Sequence, residues 1–576
     1  MKTNLKVRSK NLIRVADYIA QFLVDKKIND IFVLTGFGAM YINDAIAANP
    51  KLKYYCVRNE ATSPMMAEAY ARIKHIPGAV CLTAGPGSTN AVPGLAEAWV
   101  DSAPVIVISG QVDKKHTTNY SNLPNLRTFG TAEIDIIPIV KPITKYAVMI
   151  TKPKSIRYHL EKAYFLATSG RPGPVWIDVP QDIQYALINP KKLKGFKAIK
   201  TKANNLNKQI KQVLKYLRLS KKPLIVAGQG VRQSGAISDF KKLISTLNIP
   251  FTLTRLGLDM IPYSHPQNMG LSGIKGLRYS AKILRSADFV LVLGARLAIP
   301  FVGDKLDAFS KNAKISAVDI EKSELIKKGV KIDIPLKTDV KLFLKKFNKI
   351  IKNNFKGDIW GDWLRLCQKL KRGYPTVTKT MEKNPIDLYY FMSRVSKLSN
   401  EENILVTDAG SNYYVGGQVF QFEKGQRELT SGTFAAMGLS IPLSIGAAVA
   451  KPKFRILAIT GDGSLELNIQ ELKTISYYGL NIKLFVINNN GYLSMRNWQD
   501  NYFEGRRIGS DDTTGAEILN LEKVADAFDL DYELIKNYKE IDQKLKRITS
   551  KSGPLFVEVI CDDKQNIIEP DKPIYE

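Results

Sequence analysis

The stretch Ile456-Leu457-Ala458-Ile459-Thr460-Gly461-Asp462-Gly463-Ser464 decides the fold, together with Ile482-Lys483-Leu484-Phe485-Val486-Ile487-Asn488-Asn489-Asn490-Gly491-Tyr492. Each half is a short apolar run ending in a polar, glycine-bearing cluster, and a helical pattern from about Asn468 to Tyr478 lies between them. A strand–helix–strand unit of this kind builds a parallel sheet, and ligands gather at the carboxyl ends of its strands. Asp462, the Asn489 amide and the Gly491 carbonyl are hard oxygen donors, suited to Mg2+ carrying a phosphate. Gly461 and Gly463 let the backbone come close to a diphosphate, and the helix start adds N–H donors. Either cluster alone reads as a turn; their joint spacing across one unit points to a metal–diphosphate site.

Working outward, the same alternation of apolar runs and helical patterns fills the chain of 576 residues, long enough for roughly three to four domains. Ile31–Leu34, Tyr54–Val57, Ala79–Leu82, Val105–Ile108 and Val175–Val179 are strand-like, with helical patterns at Ala61–Ala71 and Arg157–Thr168. A basic linker follows, from Asn189 to Asn205. Leu224–Ala227, Phe289–Leu293 and Ile315–Val318 form a second set, and helical material at Trp360–Arg372 leads to a third with Ile404–Val406 and Leu555–Val559. The expected fold class is α/β: three doubly wound parallel-sheet domains, at 1–188, 189–352 and 375–576.

Composition narrows the function classes. Lys and Arg number 84 against 54 Asp and Glu, a net charge of +30 that invites a nucleic-acid reading. The lysines are scattered through solvated helix faces and linkers without a recognition motif, so no nucleic-acid partner is expected. The positive field still favours anionic substrates. Cys56, Cys81, Cys367 and Cys561 have no metal spacing and fit a reducing cytosol. No run of 18 apolar residues marks a membrane span, and the amino-terminal Asn11–Phe22 is amphipathic, so a cytoplasmic protein is expected.

A second constellation lies in the first domain. Arg58-Asn59-Glu60 follows a strand and opens a helical segment ending Ala69-Tyr70-Ala71-Arg72; Thr83-Ala84-Gly85-Pro86-Gly87-Ser88-Thr89-Asn90 and Ser109-Gly110-Gln111 end the next strands. Apolar neighbours at such a junction disfavour ionisation of Glu60, although a Glu at a helix start is also an ordinary dipole-favoured residue. With Asp101-Ser102-Ala103-Pro104 and Ser169-Gly170-Arg171-Pro172-Gly173-Pro174, these motifs in this order resemble the acetohydroxyacid synthase (acetolactate synthase) large-subunit family, through nearly the whole chain. Gly-Asp-Gly with Asn-Asn resembles that family's thiamine-diphosphate fingerprint.

The resemblance implies a pyrimidine-binding first domain, a central Rossmann-like domain with an FAD site, and a diphosphate-binding third domain. Asp462, Asn489 and Gly491 are then the Mg2+ ligands; Gly461, Gly463 and Tyr492 lie against the cofactor, and Ser464 bonds a phosphate. Gly410, Ser411 and Asn412 match a diphosphate-contacting turn. The Ala435 carbonyl accepts from the 4′-amino group, Met437 wedges the cofactor's bend, and Glu60 drives proton transfer at the pyrimidine. Gly36, Gly38, Met495 and Trp498 are implied to line the substrate pocket. FAD is implied by Gly228-Gln229-Gly230, Thr254–Gly257, Gly294-Ala295-Arg296 and Val318-Asp319-Ile320-Glu321. A homodimer or homotetramer is implied, with active sites at subunit interfaces.

Two segments depart from the family. Pro300 stands about where an arginine grips the acceptor carboxylate, and proline cannot replace that clamp. Thr131-Ala132-Glu133 keeps the acid of a Phe-Gln-Glu segment but loses the aromatic and the amide. The expected activity is a decarboxylating carboligase with pyruvate or a similar 2-keto acid as donor. The alternatives are acyl transfer to an aldehyde or nucleotide-linked keto-sugar, simple 2-keto-acid decarboxylation, and a silent binding protein that kept the fold.

Overall fold

The computed structural model describes residues 11–198, 206–304, 309, 311–355 and 357–570. The carboxyl half of the expected linker, residues 199–205, lies outside the described residues.

Three six-stranded sheets, every pairing in them parallel, carry the chain. Edge to edge, the first runs Lys53–Cys56, Asp30–Val33, Gly78–Leu82, Val105–Gln111, Val175–Pro180, Tyr146–Met149. The second runs Asn268–Leu271, Phe251–Leu253, Pro223–Ala227, Phe289–Leu293, Lys314–Asp319, Ile334–Lys337. The third runs Arg427–Leu429, Asn403–Thr407, Arg455–Gly461, Ile482–Asn488, Leu555–Ile560, Tyr532–Ile535. Inner strands such as Phe289–Leu293 are buried along their whole length, because helices cover both faces. In each sheet the strand order reverses between two inner strands, and the crevice at that point is where such folds hold ligands.

The first and third units pack through Thr62–Lys74 against Ser440–Ala450. All eleven residues of the second helix are buried. The approach is close enough that a Cβ on Gly446 would stand 2.1 Å from the Met66 carbonyl oxygen. Ala69, whose Cβ would lie 2.9 Å from that added atom, is small enough to permit the approach.

The helix expected over about Asn468–Tyr478 is divided. A 3-10 turn spans Glu466–Glu471, with Asn468 at φ −140° and ψ 28°, before an α-helix at Leu472–Tyr477. The Asn468 side chain donates to the Gly438 carbonyl (3.1 Å), competing with a continuous helix as short amides do.

Candidate functional site

The third sheet reverses between Asn403–Thr407 and Arg455–Gly461, so Asp408, Asp462 and Asn489 emerge together at the carboxyl ends of three adjacent strands. Asp462 is 1% exposed. Its Oδ1 accepts from Gly463 N (2.8 Å), and its Oδ2 from Asn489 N (2.9 Å) and Gly491 N (3.0 Å). Burial pushes its carboxyl up to about 6, while the N–H groups of Gly491, Gly463 and Asn489 pull the other way. The Asn489–Gly491 turn is wound through positive φ at Asn490 (61°) and Gly491 (99°), a conformation glycine adopts without cost. Gly463 faces the Tyr492 ring, where a Cβ would lie 2.5 Å from Cε1. A buried carboxylate with an acceptor lone pair to spare, beside an amide and a glycine carbonyl, fits a hard divalent ion bearing a diphosphate.

Asp408, fully buried, organises the neighbouring turn. It accepts from Thr460 Oγ1 (2.8 Å), Ser464 Oγ (2.9 Å) and Asn412 Nδ2 (3.1 Å), and burial raises its carboxyl to about 6. The Ser464 hydroxyl also accepts from Gly438 N (2.8 Å). Both functions of that hydroxyl are therefore engaged inside the chain. Gly410, at φ 74°, turns the chain into the Ser411–Val419 helix.

Ser464 thereby ties the Gly461–Ser464 turn to the Thr433–Gly438 segment. Ala435 sits at φ 54°, a strained setting for a residue with a Cβ, held by its N–H bond to Ser431 Oγ (2.7 Å). The first unit grips the residues just before it: Arg72 Nη1 donates to Thr430 O (2.8 Å), and Gly432 N to Asp101 Oδ2 (2.7 Å). Phe434 and Met437 remain exposed, as do Met495 and Trp498 on the Leu493–Phe503 helix.

Glu60 emerges at the carboxyl end of the first sheet, ahead of the Thr62–Lys74 helix. Asn90 Nδ2 donates to its Oε2 (2.8 Å), and a Cβ on Gly87 would lie 3.4 Å from its Oε1. Gly36 and Gly38 pack against Thr83 close by; Gly38 N donates to Thr83 Oγ1 (2.9 Å). Among the described residues no hydrogen bond joins the Glu60 side chain to Asp462, Asn489 or Met437. The structure thus gathers the sequence-implied residues into two groups, one on the first unit and one on the third.

The middle sheet reverses between Pro223–Ala227 and Phe289–Leu293. There Gly230 and Gly294 touch back to back, with a Cβ on either falling 2.7 Å from the other's Cα. The cavity above them, about 290 Å³, reaches from Gly230 and Asp319 past Pro300 and Phe301 to Ala435. Each cation lining it among the described residues faces a carboxylate of the chain: Arg171 with Glu324 (2.9 Å), Arg296 with Asp101 (3.6 Å), Arg255 with Glu428, and Lys275 with Glu569. Glu133 is turned inward, accepting from Thr118 N, Thr118 Oγ1 and Phe129 N, and so staples its own loop.

Two functional contacts escape sequence reasoning. Arg496, buried, donates to the Asn489, Asn490 and Ser510 carbonyls and so shapes the Asn489–Gly491 turn. Glu68, Glu97 and Asp101 converge within 4.8 Å, all buried. The Arg72 guanidinium beside them supplies the positive charge that a metal would otherwise bring.

Comparison with known proteins gives three matches in chain order. The thiamine pyrophosphate enzyme N-terminal TPP binding domain matches residues 13–135, the central domain 210–347, and the C-terminal TPP binding domain 408–559. The chain is 31% identical over 553 residues to the acetolactate synthase large subunit of Lactococcus lactis subsp. lactis (strain IL1403), covering 96% of this chain and 93% of that one. It is 30% identical over 565 residues to acetolactate synthase 2, chloroplastic, of Nicotiana tabacum (96% and 83%). It is likewise 30% identical over 561 residues to the acetolactate synthase large subunit of Buchnera aphidicola subsp. Schizaphis graminum (96% and 95%).

Proposed function

This chain belongs to the acetolactate synthase large-subunit family of thiamine pyrophosphate enzymes, and we propose that it is a decarboxylating carboligase using pyruvate or a close 2-keto acid as acyl donor. The observation that carries the reading is the meeting of Asp408, Asp462 and Asn489 at the reversal point of the third sheet. Thiamine diphosphate supplies the nucleophilic carbon and the electron sink. Asp462, Asn489 and Gly491 hold its Mg2+; Gly410–Asn412 and Gly461–Ser464 shape the diphosphate cradle. Ala435, fixed at positive φ, would offer its carbonyl as an acceptor, and the exposed Met437 would pack against the bound cofactor. Glu60 moves the proton at the pyrimidine N1′, its carboxyl oriented by Asn90.

Three finer readings follow. Glu60 stands on one unit and the metal ligands on another, while Phe434, Met437, Met495 and Trp498 are exposed. A homodimer, or a pair of them, with sites completed across the interface supports both facts. The cavity at the middle reversal point, with its glycine contact, suits FAD. The acceptor reading turns on charge: Pro300 stands about where the family's acceptor-gripping arginine would be and offers no carboxylate clamp. An acceptor lacking a carboxylate, an aldehyde or a keto-sugar, fits such a pocket better than a second 2-keto acid.

A mass-spectrometric product screen with pyruvate and candidate acceptors tests the assignment. Carboligation products are expected; free aldehyde alone makes the enzyme a simple decarboxylase, and efficient acetolactate formation removes the acceptor reading. The absorption spectrum of the purified protein decides FAD.

A further inference from the structure

We propose that Glu471, on the third unit, is the positioning residue for Glu60, fixing the backbone of the turn that presents it. The inference rests on the role given to Glu60 above.

Glu471 is 0% exposed, and both its oxygens are engaged. Oε1 accepts from Arg58 N (2.9 Å), Asn59 N (3.0 Å) and Thr62 Oγ1 (2.8 Å); Oε2 accepts from Thr474 Oγ1 (2.6 Å). One oxygen thus holds donors on both sides of Glu60 in sequence. The remaining bonds of the turn close locally: Ala61 N and Asn90 Nδ2 donate to Asn59 Oδ1 (2.8 and 3.0 Å). Asn90 also holds the Glu60 carboxyl, so Asn59 and Glu60 share one amide as their side-chain anchor. Without Glu471, the Arg58 and Asn59 N–H groups at this junction lose their acceptor, and the turn loses its tie to the third unit there.

The chain bends to put Glu471 there. It closes the 3-10 segment that breaks the helix expected from the sequence, and Asn468 within that break bonds the Gly438 carbonyl. One bent segment therefore touches both the turn bearing Glu60 and the loop bearing Met437. Burial raises the Glu471 carboxyl, and its bonds to Thr474, Arg58, Thr62 and Asn59 oppose the rise. What the turn requires of Glu471 is an acceptor at a fixed place, which a glutamine also provides.

The test compares Glu471→Ala, Glu471→Gln and Glu471→Asp in the full chain. Hydrogen–deuterium exchange of the peptide spanning residues 57–63, read without cofactor, should rise in Glu471→Ala. Isotope exchange at the cofactor C2 should slow roughly 10- to 100-fold, with thiamine diphosphate affinity little changed, as for a displaced proton-transfer group. Glu471→Gln should restore both within about threefold, since it keeps the acceptor. Glu471→Asp, one methylene shorter, should slow C2 exchange while keeping the charge, and it decides the matter where the alanine variant melts. Unchanged amide protection with unchanged C2 exchange overturns the proposal, as does equal failure of the alanine and glutamine variants. Absence of C2 exchange in the unaltered protein would instead count against the carboligase reading, leaving the amide measurement to judge Glu471.

Discussion

Replacing Arg72 by Met should destabilise the protein in a strongly pH-dependent way. The Arg72 side chain is 8% exposed; Nη1 lies 3.1 Å from Glu68 Oε1 and 3.9 Å from Asp101 Oδ2, and donates to Thr430 O at 2.8 Å. Burial holds Glu68 well above its ordinary value, Glu97 at about 7 and Asp101 above its ordinary value, with Arg72 pulling each back down. Removing one partner of a buried ion pair costs about 3–5 kcal/mol, because the remaining charge stays desolvated. For 576 residues melting as one unit, that corresponds to a fall in Tm of about 3 °C, and more where a single domain melts alone.

The sign follows from linkage. A carboxyl whose folded pKa is raised is tolerated when protonated and destabilises once it ionises, so stability falls as pH rises from about 4 through the folded value. Without Arg72 the three carboxyls shift further up, and that fall deepens. As the pH falls the raised carboxyls take up protons, Glu97 from about 7, so the loss shrinks toward the lost Thr430 hydrogen bond, about 1 kcal/mol. Calorimetric melting of both proteins at about pH 8 and about pH 5 measures the difference. Equal losses at the two pH values would refute the account of a charge-balanced buried cluster.

Glu60→Gln should abolish C2 proton exchange while leaving thiamine diphosphate binding largely intact; undiminished exchange removes Glu60 from its role. Gly446→Val should force Ser440–Ala450 away from the Met66 carbonyl, costing about 1–3 kcal/mol or more by overpacking, visible as a lower Tm. Asp408, raised by burial to about 6, should cost stability as pH climbs from about 4 through 6, by up to about 3 kcal/mol. Asp408→Asn should flatten that part of a urea-unfolding pH profile, and an unchanged slope argues against it.

The strands legible in the sequence are mostly those covered on both faces, where Val, Ile and Leu run together, as in Phe289–Leu293 and Ile482–Asn488. Those unread are chiefly edge strands: Tyr146–Met149, Asn268–Leu271, Ile334–Lys337, Arg427–Leu429 and Tyr532–Ile535. Several are short or partly exposed, and Ile334–Lys337 alternates buried and exposed, so no long apolar run announces them. The candidate site divides similarly. Asp462, Asn489 and the glycine turns are local patterns at strand ends. Glu471 and its Arg58 contact lie 413 positions apart, and Arg72 meets Thr430 across 358, so only the packed chain reveals them.

The turn bearing Glu60 and the segment bearing Ala435 are both tied down by the packing of the first unit against the third, the one by Glu471 and the other by Arg72 and Asp101. If the proposed homodimer completes each site with Glu60 from one subunit and Asp462 from the other, two inactive variants should rescue each other. A mixed dimer of Glu60→Gln and Asp462→Asn chains then contains one site with both residues intact and one with neither. Random pairing of equal amounts places half of the chains in mixed dimers, so the co-expressed pair should regain about a quarter of the unaltered activity. Sites built within single chains regain nothing, because every site then carries one of the two lesions. Activity at the level of either variant alone would therefore refute sharing, and a quarter's recovery is accessible only to a site that two copies build together.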